Sequence, residues 1–465
     1  MHEDLLEPAA PSLVKNIDFK WPAGLIGNPT VFPRCTSAEF SSQASYNGVV
    51  TNECPADTAV GVALSYATEP AALGLLRLES PLFNLEPQVG EPARFGFETH
   101  GTDVLVDTSI RTGSDYGVTV SVDDLTEVAE ILSSAVTVWG VPADPRHDQS
   151  RGWGCLDPKT GLPCVPLGQS KPPPFLTLPT SCPTNRLTGE PEPLQTSVEV
   201  ASWTEPDNVL SAGSLEAMPA MTGCNHLQFT PEIRAVPDEQ QASRPSGLGV
   251  DVHVPQESQL NATGLAQSNI KDIKVTLPEG VALNPAGANG LEACGEGLIG
   301  YLPGESSQPS QLDFTSFLPG SVAALAAGDT EVLDPGVNFC PDASKIGTVK
   351  ITTPLLPNPL EGSVYLAAQN ANPFGSLVAM YIVAEDPVSG SLVKLPGQVT
   401  LNQQTGQIES TFENTPQLAF EDAELHFFGG ETAPLSTPAH CGTYTTNAVF
   451  TPWSGSEVVK SSSSF

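Results

Sequence analysis

Nine cysteines and seven histidines hold most of the reactive chemistry in this chain, and their spacing decides which chemistry is open to them. No two cysteines form a Cys-x-x-Cys pair, and the shortest gap runs from Cys155 to Cys164. The paired-ligand spacing of structural zinc is therefore absent. His440 beside Cys441 has the composition of a thiol nucleophile with its base. Neighbours on a strand point to opposite faces, however, so the two are poorly placed to share a proton. His426 lies in an alternating stretch and reads as an ordinary strand residue.

A second concentration of chemistry lies between residues 144 and 155. Asp144, His147, Asp148 and the aromatic Trp153 fall in one short loop that a Cys155–Cys164 bridge would rigidify, which is how binding residues are often carried. The plainer reading is that Arg146 and Asp148 tie the loop down while Trp153 covers a small core. Paired acids are frequent (Asp123-Asp124, Glu127 and Glu130, Glu421-Asp422), but a glycosidase needs two carboxyls across a cleft, which spacing alone does not supply. Calcium is the one cofactor these acids suggest, and no Asp-x-Asp-x-Asp-Gly loop supports it. The sequence has no Gly-x-Ser-x-Gly elbow, phosphate-binding glycine loop or His-Glu-x-x-His. The expectation is a chain without a cofactor and without catalytic residues.

Composition narrows the classes further. With 19 basic and 53 acidic residues the net charge is −34, which repels nucleic-acid phosphates and anionic lipid surfaces. The 45 prolines and 41 glycines argue for many turns and few long helices. No apolar run reaches the ~18 residues of a membrane span. Scattered cysteines in such a chain read as disulfides of an oxidising compartment. The acidic start, Met1-His-Glu-Asp, is not an export signal, so the expectation is that one lies upstream.

The elements that must position these residues are written twice. Phe19-Lys-Trp-Pro-Ala-Gly-Leu-Ile-Gly-Asn-Pro29 matches Val275-Thr-Leu-Pro-Glu-Gly-Val-Ala-Leu-Asn-Pro285 without a gap. Cys54-Pro-Ala-Asp-Thr-Ala-Val-Gly61 matches Cys340-Pro-Asp-Ala-Ser-Lys-Ile-Gly347, and Ala135–Gly140 matches Glu424–Gly429. Pro179-Thr-Ser-Cys182 matches Pro438-Ala-His-Cys441, each followed by a strand pattern and a tryptophan, Trp203 or Trp453. The drifting offsets place insertions between Cys294 and Cys340 in the second copy, where Ser321–Ala327 reads as a short helix or polar loop, and at Arg146–Cys164 in the first.

The repeat also predicts bridges: Cys35–Cys54 and Cys294–Cys340 at equivalent positions, Cys155–Cys164 within the insertion, and Cys182–Cys224 beyond it. Each longer loop so closed contributes ~3–4 kcal/mol in the chain-entropy model. Cys441, equivalent to Cys182, is left without a partner, as if the chain were cut before it. Likewise Gly247–Val254, a strand pattern, has a counterpart expected upstream of Met1.

Alternating apolar residues over short runs punctuated by glycine and proline predict an all-β protein of tandem β-sandwich or jelly-roll-like domains with few short helices. The expected organisation is a larger β-domain at 1–143 and a stapled insertion with a proline linker at 144–171. A smaller β-domain follows at 172–236, then a linker at 237–246. The second copy comprises a larger domain at 247–430 and a smaller one at 431–465. Leu377–Ala384 and Ser363–Leu366 read as strands, and 400–412 as a hairpin around Gln-Thr-Gly.

Trp139-Gly-Val-Pro-Ala-Asp-Pro-Arg-His147, Cys340–Gly347 and Cys441-Gly-Thr-Tyr-Thr-Thr-Asn-Ala-Val-Phe-Thr-Pro-Trp453 are similar to phrases in a family of long, repetitive, exported proteins of high-GC Gram-positive soil bacteria. That family has no established activity. The resemblance covers nearly the whole chain and implies an exported, repeated β-architecture with no catalytic residues; relative to the full-length pattern, this sequence lacks an export signal and a C-terminal anchor. The functional expectation is an extracellular or cell-surface structural or adhesive repeat protein, not an enzyme. A carbohydrate-binding or glycan-hydrolysing exoprotein is the alternative. Its expected partners are neighbouring modules of a longer chain and a cell-surface glycan or protein, with no nucleic acid.

Overall fold

The computed structural model describes residues 12–69, 74–99, 101–127, 130–164, 166–167, 171–185, 187–213, 218–300 and 338–465. The segment Ser321–Ala327 lies outside the described residues. Two large antiparallel sheets dominate, one of nine strands and one of eleven, and the helices are short.

The first sheet contains β1 (Val14–Lys20), β2 (Ala59–Glu69), β3 (Gly74–Leu85), β4 (Arg94–Thr99), β5 (Thr102–Ile110), β6 (Val118–Val122), β7 (Glu130–Val138), β8 (Ser197–Ser202) and β9 (Leu210–Gly213). Their spatial order is β7-β2-β3-β4-β5-β6-β1-β8-β9. The second contains β10 (Glu232–Pro237), β11 (Leu248–His253), β12 (Ile270–Thr276), β13 (Lys345–Thr352), β14 (Leu360–Leu366), β15 (Val378–Asp386), β16 (Ser391–Leu401), β17 (Ile408–Phe412), β18 (Asp422–Phe427), β19 (Thr445–Pro452) and β20 (Val459–Ser464). Their order is β10-β11-β18-β13-β14-β15-β16-β17-β12-β19-β20. Removing β10 and β11 leaves the same nine-strand order as the first sheet. The second sheet is the first with a hairpin added.

The repeated sequence blocks account for repeated local geometry. Asn28 accepts a hydrogen bond from the Thr30 amide, and Asn284 from the Ala286 amide, so each Asn-Pro starts a 3₁₀ turn with its donor satisfied. Cys35 clips onto the end of β3, donating to Asn84 O and accepting from Glu86 N; Cys294 donates to Leu366 O and accepts from Ala368 N. The glycine that closes the Cys-Pro block marks a bulge in both copies, where the register shifts at Ala59/Gly61 and at Lys345/Gly347. A Cβ on Gly61 would collide with the Thr137 carbonyl, and one on Gly347 with that of His426. Trp203 donates to Leu125 O beneath the Lys15 ammonium, and Trp453 donates to Thr415 O beneath that of Lys271.

Two expectations are corrected. The strands of 172–236 do not build a smaller sheet of their own: β8 hydrogen-bonds to β1 in antiparallel register, Phe19 opposite Val198, and β9 extends it. In the same way β19 pairs with β12 and β20 with β19. The physical reason is that β1 and β12 carry backbone donors and acceptors on both edges, and the returning strand satisfies the second edge. Residues 232–237 belong to the second sheet as β10, paired with β11 through the 238–247 turn. The all-β expectation with few short helices holds: the two large antiparallel β-domains curl into a half-barrel and a near-barrel. Strand β7 begins at Glu130, so the C-terminal end of the ambiguous 124–131 stretch is strand.

The largest hydrophobic clusters lie inside the curled sheets, and smaller ones around Tyr381 and Phe83 lie on the opposite faces. Leu82, Phe97, Val104, Val106 and Phe175 fill the interior of the first sheet, while Ile270, Val275, Phe450 and Val364 with Ile382 fill two clusters of the second. Tyr116, on the tight turn after β5, leaves its own sheet and joins the second core. Its hydroxyl donates to Lys394 O at 2.7 Å and accepts from Lys394 N at 3.1 Å. Thr112 donates to Leu392 O, Gly90 N to Val388 O, and Asn28 Nδ2 to Pro354 O. Ile26 packs with Leu355 and Ala419 across the same junction.

Candidate functional site

The loop that carries Asp144, His147, Asp148 and Trp153 is a folded knot. Asp144 caps the 3₁₀ turn Pro145–Ser150, accepting from the Arg146 amide at 2.9 Å and from the Arg146 guanidinium at 3.1 and 3.0 Å. Arg146 holds the Asp144 carboxyl down at about 2. Arg151 is fully buried, donating to Pro142 O, Asp144 O and Asp148 Oδ1. The His147 ring stacks on Trp139 at 4.4 Å between centroids, and its burial lowers the imidazole's basicity. Trp153 is 8% exposed and donates its Nε1–H to Asn52 Oδ1 at 3.1 Å. Both carboxylates are matched by arginines, and neither indole face is open. The loop thus has no aromatic platform for a sugar ring.

Four disulfides join Cys35 to Cys54, Cys155 to Cys164, Cys182 to Cys224 and Cys294 to Cys340. Cys441 is free and exposed. The adjacent His440 uses its carbonyl to accept from the Tyr444 hydroxyl. His426 pairs with Asp238 at 3.1 Å, and His253 with Asp422 at 2.7 Å. Among the described residues no three His, Cys, Asp or Glu side chains come together in an arrangement able to hold a metal ion. No helix among them is long and apolar enough to cross a membrane.

The feature that sequence reasoning missed is internal. A cavity of about 610 Å³ runs from the concave face of the first sheet into the interior of the second. In the first its walls include Phe95, Val104 and Val120; in the second, Val275, Leu395 and Leu418. Among the described residues, not one Asp, Glu, Lys, Arg or His lines it. An eleven-strand cylinder is wider than the ~8-strand barrel whose own side chains just fill it, so Val, Ile and Leu leave the axis unfilled. The signal was present only as alternation in every strand; the diameter depends on strand count and closure, which no local pattern states.

The cavity is open on the side where the described residues place no counterpart of the hairpin β10–β11. In the second sheet β18 is flanked on both sides, by β13 and by β11. Among the described residues its counterpart β7 pairs only with β2 and forms a sheet edge. Leu132, Ser134 and Val136 of β7 line the cavity, yet Val136 stays 44% exposed. Phe19 lines it too and is 39% exposed.

No family model and no curated protein matches the chain. Among solved structures it is similar to the collagen adhesin CNA of S. aureus at 7% identity, over 83% of this chain and 87% of that one. The TM-score is 0.18, which is too low for that likeness to carry fold or function.

Proposed function

We propose that this chain is a non-catalytic structural segment of an extracellular or cell-surface protein, in which tandem β-modules are locked into one stiff unit. One observation carries the reading: the junction between the two modules is built as a core. Tyr116 inserts from one module into the other, its phenol desolvated and its pKa pushed up to about 12 by burial, so the hydroxyl remains a neutral donor. Flexible tandem domains meet through polar, replaceable contacts; a buried aromatic with paired backbone bonds resists reorientation. The four disulfides support an oxidising compartment. The folded, arginine-matched knot at 144–164 supports a structural role for the insertion over glycan recognition.

The test is to secrete the chain, map its disulfides without reduction, and measure its shape by small-angle scattering with limited proteolysis. The expected result is the four bridges above and one rigid particle that resists cleavage between residues 218 and 247. Reduced thiols at any cysteine other than Cys441 in the native protein, or independent tumbling of two halves, would overturn the reading.

A further inference from the structure

We propose that the internal cavity is a binding site for a single long, uncharged aliphatic chain, such as the hydrocarbon part of a neutral lipid, admitted at the open edge of the first sheet. The lining sets the class. Any charged group drawn inside would be desolvated with no counter-charge, since no ionisable side chain lines the walls among the described residues. Three of the hydroxyls that line it are turned to the backbone. Thr108 donates to Ala93 O and accepts from Ala93 N, Thr353 donates to Ala419 O, and Thr415 to Ile270 O. A sugar or peptide would lose its hydration there and gain little in exchange, whereas an alkyl chain loses only unfavourable contact with water.

Size points the same way. The volume of about 610 Å³ falls within the ~300–1,000 Å³ of ordinary small-molecule sites. The lining is shared by the two sheets, with Val136 in the first and Ile382 in the second. An apolar cavity of this kind does not hold water stably and is filled favourably by an apolar guest. At the entrance, Ser65 and Ser134 lie Oγ to Oγ at 3.1 Å, a pair of hydroxyls placed to meet an uncharged polar head. The hairpin β10–β11 covers the equivalent position in the second module, so among the described residues the uncovered edge is that of the first.

The test uses the secreted full chain with its disulfides intact and the neutral fluorophore N-phenyl-1-naphthylamine, displaced by 1-dodecanol. The expected result is saturable fluorescence at one site per chain, abolished by dodecanol. Ala423→Trp, which fills the lumen from β18, is expected to weaken binding at least tenfold. Val136→Arg, a change at an already exposed position that leaves the core untouched, is expected to weaken it about threefold or more by placing a cation at the entrance. Absence of saturable binding to the folded protein would overturn the proposal, as would equal affinity in wild type and Val136→Arg together with Ala423→Trp, since that places the dye on the outer surface. If Ala423→Trp fails to fold, Val136→Arg decides alone.

Discussion

The two modules share nine strands in one order and differ by a hairpin, and that hairpin changes what each module is. In the second, β11 zips onto β18 from Leu248 opposite Phe427 to His253 opposite Asp422. Strand β10 then meets β20, where Ser461 accepts from the Ile233 amide, and Ser463 accepts from Ala235 N and donates to Ala235 O. The ring is closed partly by side chains. In the first module β7 and β9 are left as edges among the described residues, and all four residues of β9 are exposed. Unpaired edges invite further strands, and closure removes them. One sequence pattern therefore supports an open trough and a closed ring, with two strands deciding between them.

The equivalent disulfide clips give the largest test of that comparison. Cys294–Cys340 spans a sequence separation of 46 and Cys35–Cys54 one of 19. Replacing the first pair with alanine is expected to cost about 4 kcal/mol and the second about 3, on loop entropy alone. Denaturant titrations of the oxidised variants measure both. Equal costs, or the reverse order, would show that the clips are not equivalent parts of a repeat.

Opening the ring comes next. Ser461→Ala with Ser463→Ala leaves the Ile233 and Ala235 amides without acceptors at the seam, an expected loss of about 2 kcal/mol. Hydrogen exchange at those two amides should accelerate while that of β13–β15 does not change. Ser211→Ala on the exposed β9 is the control and should cost under about 0.5 kcal/mol. If the double variant is as stable as wild type, the seam does not hold the second module shut.

Much of this was legible in the residues. The continuous apolar run in Val378–Asp386, alternation in Ile408–Phe412, the Asn-Pro turns and the duplicated Cys-Pro-x-x-x-x-x-Gly block identify strands and modules, because each depends on local backbone chemistry. Thr36 and Glu39 even form the capping box of the short helix Ser37–Ser41. What stayed hidden depends on distant partners. Nothing in Ser197–Ser202 says that it will lie beside β1 rather than found a new sheet. Nothing near Trp153 says that Asn52, about a hundred residues earlier, will take its N–H. Closure of the ring rests on two serines meeting a strand 228 residues away, and the lumen follows from closure.

The junction tests whether the open and closed modules behave as one body. Tyr116→Phe keeps the ring in the second core and removes only the hydroxyl that bonds both Lys394 backbone groups. The expected loss is about 1–2 kcal/mol. It should appear as separation of a single thermal transition into two, with the closed module melting later. A merely weaker single transition would mean that Ile26, Leu355 and Ala419 suffice to couple the modules.

The smallest effect probes the added hairpin itself. His253 on β11 lies opposite Asp422 on β18, and the hydrogen bond to that carboxylate raises the imidazole pKa above its ordinary 6.5, burial opposing it slightly. Glu421 and Asp251 add to the rise. A pKa raised on folding stabilises most below the unfolded value and is lost as pH climbs through the folded one. The hairpin should therefore loosen as pH rises from below 6.5 to above the raised imidazole value. Because the pair is well exposed, screening holds the effect to a few tenths of a kcal/mol. Asp251, whose pKa is raised chiefly by burial and then by Asp422 and Glu424, titrates in the acid range and leaves that window undisturbed. Hydrogen exchange of the Val252 amide at the two ends of that window, corrected for intrinsic rate, should show the loosening in wild type and not in His253→Gln. An effect of the same size in both would assign it to another group and leave the hairpin held by its backbone ladder and the Val250 and Val252 side chains alone.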